Sequence, residues 1–318
     1  MSNKVVLVSV CMLTYNHDKY IKQAIDGILM QKTDFDFELI ICDDASPDRT
    51  NEIVNEILQN NPKSHIIRYY RHEKNIGMQA NGEFVLNQTV GKYIAICEGD
   101  DYWTDSYKLS YQVEILENNN DVGLVHHDAN YYYEKSKKTI KSYHKTKNII
   151  IPNNNLFYDL IKYNKILTLT VLFRKELLEN LYKLDSEFIK KSLMTDYIMW
   201  LEFSKHCSFY YIKKSMSTYR VLEESASRSG SYEKEINFLQ SYCKIKRYFI
   251  NKYNCSKELL YFVDQYEYST ALMLSIKHCQ DLNALEYSKL LKADSIINFF
   301  KKYLVKFPVF FRFIIKFK

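Results

Sequence analysis

The sequence predicts an α/β fold: a mostly parallel sheet flanked by helices, with an α-helical extension at the C-terminus. Three features carry that expectation. Short continuous runs of apolar and β-branched residues recur through the first hundred positions, as strands buried on both faces require. Between them lie stretches with apolar residues at helical spacing, so strand and helix alternate in the manner of βαβ units. From about Ser231 onward only helical spacing remains.

Residues 5–12 (VVLVSVCM) open the chain as a buried strand. Residues 18–30 follow with Tyr20, Ile21, Ala24, Ile25 and Ile28 on one helical face. A second strand over 38–42 (ELIIC) ends at Asp43 and Asp44. A helix over 50–59, a short strand over 66–70, a helix over 78–90 and a strand over 93–97 complete this part. Beyond residue 120 the pattern is mixed: a strand over 122–127, an irregular stretch to Pro152, then helical and strand segments to about Tyr219. The serine-rich stretch 225–231 marks the expected boundary with the helical extension.

Composition narrows the function class. The 318 residues hold 44 Lys and Arg against 38 Asp and Glu, a formal charge of +6. Residues 296–318 carry six of those cations and no acid, so the body is balanced, which argues against a nucleic-acid-binding surface. Fractions of 47% hydrophobic and 26% charged exclude whole-chain disorder. The seven cysteines are odd in number and form no C-x-x-C pair, which suits a reduced, cytosolic setting with core thiols and lacks zinc-ligand spacing. The first apolar stretch lacks a signal-peptide pattern, and no uncharged run reaches spanning length.

Ligands on parallel sheets sit beyond the carboxyl ends of the strands. Here those ends carry Thr14-Tyr15-Asn16, Asp43-Asp44-Ala45-Ser46 and Glu98-Gly99-Asp100-Asp101. The second cluster also reads as an ordinary turn and helix cap. The third holds three carboxylates within four residues, whose mutual repulsion asks for a cation or protons. Hard oxygen donors suit Mg2+ or Mn2+, ions that bridge carboxylates to diphosphate oxygens, although a solvated acidic turn is the plain alternative. The glycines at 27, 77, 82, 91, 99, 123 and 230 compose no G-x-G-x-x-G, and G-K-[ST] is missing, so neither common phosphate loop is present.

The segments VSVCMLTYNHDKYIKQAIDGILMQ, ELIICDDASPDRT, KNIG and KYIAICEGDDYWTDSYKL resemble the nucleotide-binding half of inverting family 2 glycosyltransferases of the GT-A fold. The likeness covers residues 4–125 closely and continues more loosely to about 227. It implies a GT-A domain over 1–227, with a nucleotide-sugar half over 1–125 and an acceptor half over 126–227, and a helical region over 228–318. It implies that Leu13, Thr14, Tyr15 and Asn16 line the nucleobase, with Asp43 beside them and Asp44 bonding the base edge. Asn75, Gly77 and Asn81 fall in and after the N-x-G element. Glu98, Gly99 and Asp100 map onto the DxD-type motif, and Asp100 and Asp101 are the implied metal ligands because the usual first Asp is Glu98. Two departures stand out: Leu13 replaces a common Pro, and Gln79-Ala80-Asn81 lacks the Arg of the family's A-R-N element. Arg71 is the nearest cation in sequence that could replace it.

An inverting transferase needs a general base for the acceptor hydroxyl. The family's [ED]-D element resembles Thr195-Asp196 at the start of MTDYIMWL, which implies Asp196 as that base. Taken alone, Asp196 reads as a first-turn acid behind a Thr195 cap, where the helix dipole lowers its pKa. Arg220 and Ser225 resemble part of a Y-R-x(4)-S-x-S loop that folds over the diphosphate. Trp103 offers either a sugar-stacking face or core packing, and His126 and His127 at most line an acceptor site.

The tail, residues 296–318, holds seven of the 18 Phe beside its six cations, with Lys302/Lys306 and Arg312/Lys316 spaced i, i+4. Such a pattern suits an anionic bilayer surface or a final packed helix, and not nucleic acid. The whole implies a cytoplasmic glycosyltransferase of the hexosyltransferase class, peripheral on the inner face of the membrane. Its donor would be a nucleotide sugar, a UDP-sugar foremost, its acceptor a glycan or lipid-linked glycan, and its cofactor Mn2+ or Mg2+. A non-catalytic nucleotide- or glycan-binding partner of a synthase is the competing reading. A nucleotidyltransferase ranks below both because its glycine-rich loop after the first strand is absent.

Overall fold

Buried apolar runs become the strands of one sheet. The computed structural model describes residues 5–152, 156–184, 186–223 and 230–304. The chain divides into two compact units, residues 1–191 with 195–222, and residues 192–194 with 223–318.

In the first unit the strands are β1 (Val8–Thr14), β2 (Phe37–Asp43), β3 (Ile67–Arg71), β4 (Tyr93–Ile96), β5 (Tyr102–Trp103), β6 (Val122–Tyr133), β7 (Lys138–Ile140), β8 (Leu172–Arg174) and β9 (Ser208–Val221). Their order is β3-β2-β1-β4-β8-β6-β9-β5, with β7 on β6. The first four strands are parallel, as expected. The other half is mixed: β8 runs antiparallel to β4 and β6, β6 and β9 are parallel, and β5 is antiparallel to β9.

β1 is central, so both its faces are covered. Val8, Val10 and Met12 are fully buried in one cluster with Ile21, Ala24, Ile25 and Ile28 of the helix Ile21–Leu29, with Val54, and with Leu109 and Leu116 of the helix Lys108–Asn118. That continuous burial is why the strand lacks polar alternation. Trp103 belongs to this core, its Nε1 donating to Leu169 O at 3.0 Å, and so offers no face to a sugar. Lys108 is buried against it, Nζ 4.0 Å from a Trp103 ring centroid and donating to Gln112 Oε1 at 2.7 Å. Burial pulls that ammonium down to about 7.

The expected strand over 122–127 extends to Tyr133 because β9 pairs along its whole length. Asp128 and Asn130 read as loop residues in the sequence, yet Asp128 is fully buried. Its carboxylate accepts the N–H groups of Ala129, His144 and Lys145 at 2.8, 2.9 and 3.2 Å. His126 and His127 lie within β6 and are buried, where desolvation holds His126 down to about 3 and His127 well below its ordinary value.

The second unit is helical: Tyr232–Lys252, Lys257–Lys277, Asp281–Leu290 and Ile296–Leu304. Lys246 is buried between the Tyr242 and Tyr266 rings, 3.9 and 4.4 Å from their centroids. Glu235 accepts both Lys277 at 2.9 Å and His278 at 3.1 Å. In the last helix Lys301 donates to Ser269 Oγ at 2.7 Å and Lys302 to Leu291 O at 3.0 Å, while Ile297 and Phe300 are mostly exposed. Among the described residues no helix is long and apolar enough to cross a membrane.

Histidines buried as neutral rings bind fewer protons in the native than in the unfolded chain below pH 6.5. Stability therefore falls as pH drops through that value. His126→Phe, which keeps a ring against Tyr211 (centroids 5.0 Å apart in the parent), should flatten that fall. Urea unfolding between pH 6.5 and about 4.5 should show up to ~1.4 kcal/mol per pH unit less dependence than the parent.

Candidate active site

At the carboxyl end of β2 two neighbouring aspartates do different work. Asp43 is fully buried and accepts Ser46 N at 2.8 Å, Ser46 Oγ at 2.5 Å and Tyr69 OH at 2.9 Å, with Arg71 Nε at 3.4 Å. Asp44 ties β2 to β1, its N–H donating to Thr14 O at 3.0 Å. Its two carboxylate oxygens receive the N–H groups of Ile76 at 2.7 Å and Gly77 at 2.9 Å. Gly77 sits at φ +90°, where a side chain is strained, and Asn75 Oδ1 accepts the same Gly77 N–H at 3.1 Å. Asn75 Nδ2 donates to Asp44 O at 3.3 Å, and Asn81 Nδ2 donates to Cys42 O at 3.0 Å. Asn75 and Gly77 thus converge on Asp44 while Asn81 holds Cys42, and together they pin the loop after β3 to β2.

β1 contributes the opposite wall of this corner. Thr14 is buried with Oγ1 3.2 Å from His17 Nδ1. Tyr15 is largely exposed, and Asn16, at φ +60°, donates its N–H to Ser46 Oγ at 3.0 Å. Leu13 accepts the Gly99 N–H through its carbonyl at 2.9 Å, which brings the acidic turn against β1. A Cβ on Gly99 would stand 2.8 Å from both His17 Nδ1 and Thr14 Oγ1, so the turn has room for glycine and for nothing larger. His17 was not among the expected site residues; its position after Thr14-Tyr15-Asn16 was the available signal.

The acids after β4 face different surroundings. Asp101 is buried and accepts the Arg220 N–H at 2.7 Å; burial and the charges of Asp100 and Glu98 push its carboxyl well up. Burial, then Asp100, pushes Glu98 up to about 8, and its Oε2 has no hydrogen-bond partner among the described residues. Asp196 stands in the first turn of the helix Thr195–Phe203. Its Oδ2 accepts Thr168 Oγ1 at 2.8 Å and its Oδ1 accepts Tyr197 N at 2.8 Å. Asp196 and Thr168 both bear on the Glu98 carboxyl, the charge of Asp196 raising its pKa and the Thr168 hydroxyl lowering it, so Asp196 and Glu98 flank Thr168. The helix dipole was expected to lower the Asp196 pKa. Burial outweighs its hydrogen bonds and raises it, which makes it a stronger proton acceptor once ionised.

Arg220 departs from expectation. It lies near the end of β9 and not on a closing loop, and its side chain is 6% exposed. Nε donates to Asp100 O at 2.8 Å, and the two terminal nitrogens reach Glu134 Oε2 at 2.8 Å and Gln23 Oε1 at 2.7 Å. The rings of Tyr20, Tyr102 and Tyr132 surround the guanidinium at 4.6, 5.2 and 5.5 Å. A side chain so occupied cannot swing over a diphosphate. Ser225 lies outside the described residues. Arg71, the cation considered for the missing A-R-N arginine, also donates to Ser46 O at 3.1 Å and so turns toward the Asp43 corner.

Among the described residues no group of three or more His, Cys, Asp or Glu is assembled as a ready metal sphere. The donor set still fits a hard divalent cation: Glu98 offers an unpartnered oxygen beside Asp100, while Asp101 Oδ1 is already engaged by a backbone amide.

The profile of Glycosyl transferase family 2 matches residues 9–181. The chain belongs to that family. An uncharacterised glycosyltransferase of Methanocaldococcus jannaschii is 28% identical over 277 residues, 85% of this chain and 88% of that protein. An uncharacterised protein of Mycobacterium tuberculosis is 40% identical over 131 residues; the match spans 41% of this chain and only 37% of that relative's length. Among solved structures, Staphylococcus aureus TarS in complex with UDP-GlcNAc superposes with a TM-score of 0.60 at 17% identity, covering 96% of this chain and 88% of TarS. The mannosyltransferase PcManGT of Pyrobaculum calidifontis, in complex with GDP-Man and Mn2+, gives 0.55 at 15% identity, covering 96% and 86%. The protein is thus a family 2 glycosyltransferase with the mixed α/β GT-A fold and a helical C-terminal part.

Gly99→Ala in this transferase should break the Thr14–His17 contact and push the acidic turn off β1. The expected cost is ~1–3 kcal/mol of stability, read by urea unfolding. An unchanged variant would mean that the turn is looser than these distances imply.

Proposed function

We propose that this transferase is metal-dependent and inverting, moving a sugar from a nucleotide diphosphate sugar, foremost a UDP-sugar, to a hydroxyl of a glycan or lipid-linked glycan. The observation that carries the reading is the convergence of Asp196 on Glu98 through Thr168, which sets a buried carboxylate of raised pKa beside the acidic turn. The UDP-GlcNAc held by TarS and the GDP-Man and Mn2+ held by PcManGT support a nucleotide-sugar donor and a divalent ion.

In this reading the Asp44 corner receives the base. Both Asp44 oxygens already hold backbone amides, so the carboxylate arrives oriented, with a lone pair on each oxygen still open. Glu98 and Asp100 would hold Mn2+ or Mg2+, and Asp101 would keep their turn in place, a revision of the Asp100–Asp101 pairing. The cation, when bound, supplies positive charge to the departing diphosphate. Asp196 takes the acceptor hydroxyl proton as that oxygen bonds to the anomeric carbon. The bond from that carbon to the diphosphate oxygen breaks, its electron pair leaving with the nucleotide. One displacement inverts the anomeric centre.

We place the protein at the inner face of the cell membrane, in polysaccharide or glycan synthesis. The exposed Ile297 and Phe300 support the apolar half of that reading. Lys301 and Lys302 turn inward, so the cationic half rests on Lys306, Arg312, Lys316 and Lys318, which lie outside the described residues.

Purified protein with Mn2+ and a panel of UDP-sugars should release UDP. Asp196→Asn should cut that rate by ~10²–10⁴-fold, with UDP affinity retained. UDP binding without turnover on any donor or acceptor would favour the non-catalytic reading instead. Removing residues 305–318, which leaves the helix Ile296–Leu304 in place, should abolish sedimentation with phosphatidylserine vesicles and leave UDP release unchanged.

A further inference from the structure

We infer that Thr168 is a positioning residue for the catalytic carboxylate, fixing the plane in which Asp196 meets the acceptor hydroxyl. The inference rests on the assignment of Asp196 as general base and goes one residue beyond it.

An aspartate carboxylate rotates broadly about its last torsion, so a base is held in one plane only if both oxygens are engaged. Here they are, from two different elements. Tyr197 N–H, on the base's own helix, takes Oδ1, and Thr168 Oγ1 takes Oδ2, both at 2.8 Å. One lone pair on each oxygen remains for an incoming hydroxyl. The helix supplies its half of the grip wherever it goes. Thr168 is what ties the carboxylate to the sheet, and hence to the acids after β4.

Topology puts that hydroxyl in place. β8 is antiparallel to β4, with Leu172 opposite Ala95, so the turn just before β8 falls beside the carboxyl end of β4, where Glu98 begins the acidic cluster. The turn is pinned from its two following residues. Leu169 O accepts Trp103 Nε1 at 3.0 Å and Thr170 O accepts Gln112 Nε2 at 2.8 Å, both from within the core. Thr168 therefore stands on a rigid support, as a residue that sets the orientation of a base must. In the sequence it is one of two threonines within the apolar run ILTLTVLF, with no mark of function.

The test uses the full chain with Mn2+ and whichever of UDP-glucose, UDP-galactose and UDP-GlcNAc it turns over fastest, UDP release being the readout. Thr168→Val should lower kcat by ~10–100-fold, as misplacement of a reacting group does, with the donor KM within about 3-fold. Thr168→Ser, which restores the hydroxyl, should recover kcat to within about 3-fold of the parent. In an Asp196→Asn background, Thr168→Val should cost no more than about 2-fold further, because residues acting as a unit are not additive. A Thr168→Val enzyme with parental kcat, a serine variant no better than valine, or losses that multiply in the double variant would each overturn the inference. If valine lowers the melting temperature, the serine variant and the double-variant comparison at a temperature where all forms are folded decide it. Full turnover in Asp196→Asn alone, or no turnover of any donor, would instead remove the base assignment, and the role of Thr168 with it.

Discussion

Three carboxylates in a four-residue turn repel one another, and the fold must hold them together without neutralising them. Arg220 does this with its main chain and its side chain at once. Its amide engages Asp101, its Nε engages the Asp100 carbonyl, and its far nitrogens reach Glu134 and Gln23. The guanidinium meets the backbone of the turn and, outside it, one acid and one amide, so the Glu98 and Asp100 carboxylates keep their charge demand for a ligand. Tyr20, Tyr102 and Tyr132 shield the cation from water and make its bonds stronger than they would be at the surface. Without this clamp neither the acidic turn nor the β5–β9 pairing beside it has a reason to stay where it is.

Burial governs the electrostatics of the site more than local dipoles do. The same desolvation raises Glu98, Asp101 and Asp196, although each has donors or amides working the other way. For Asp196 this reverses the outcome that helix position alone suggests. A first-turn acid at the surface would be a weak base; one sunk between a threonine and the sheet is better matched to taking a proton.

The nucleotide side of the molecule was legible because its physics is local. β1, β2 and β4 are buried on both faces, which leaves unbroken apolar runs, and their polar ends stand out against them. Asp44, Asn75, Gly77 and Asn81 were picked out together and do sit together. What stayed hidden depends on partners far away in sequence. β5 and β8 are two and three residues long and leave no period to read. β9 carries Lys213, Lys214 and a series of hydroxyls, so its end looked like a loop, and Arg220 was read as mobile when its bonds to residues 23, 100, 101 and 134 make it fixed. Thr168 could not be found at all, because a threonine in an apolar stretch is ordinary until its hydroxyl is seen between Asp196 and Glu98.

The pairing of β6 with β9 also decides when the site can exist. β9 is among the last elements of its unit, yet it lies between β6 and β5, and the Arg220 bonds reach back as far as Gln23. Contacts of such sequence separation form late, since a long loop must close before any of them stabilises the chain. A chain emerging from the ribosome can lay down β1 to β4 early, but its acids stay unclamped until residue 220 has followed. The site is thereby coupled to completion of the domain: a chain ending before residue 220 lacks the clamp on its acidic turn.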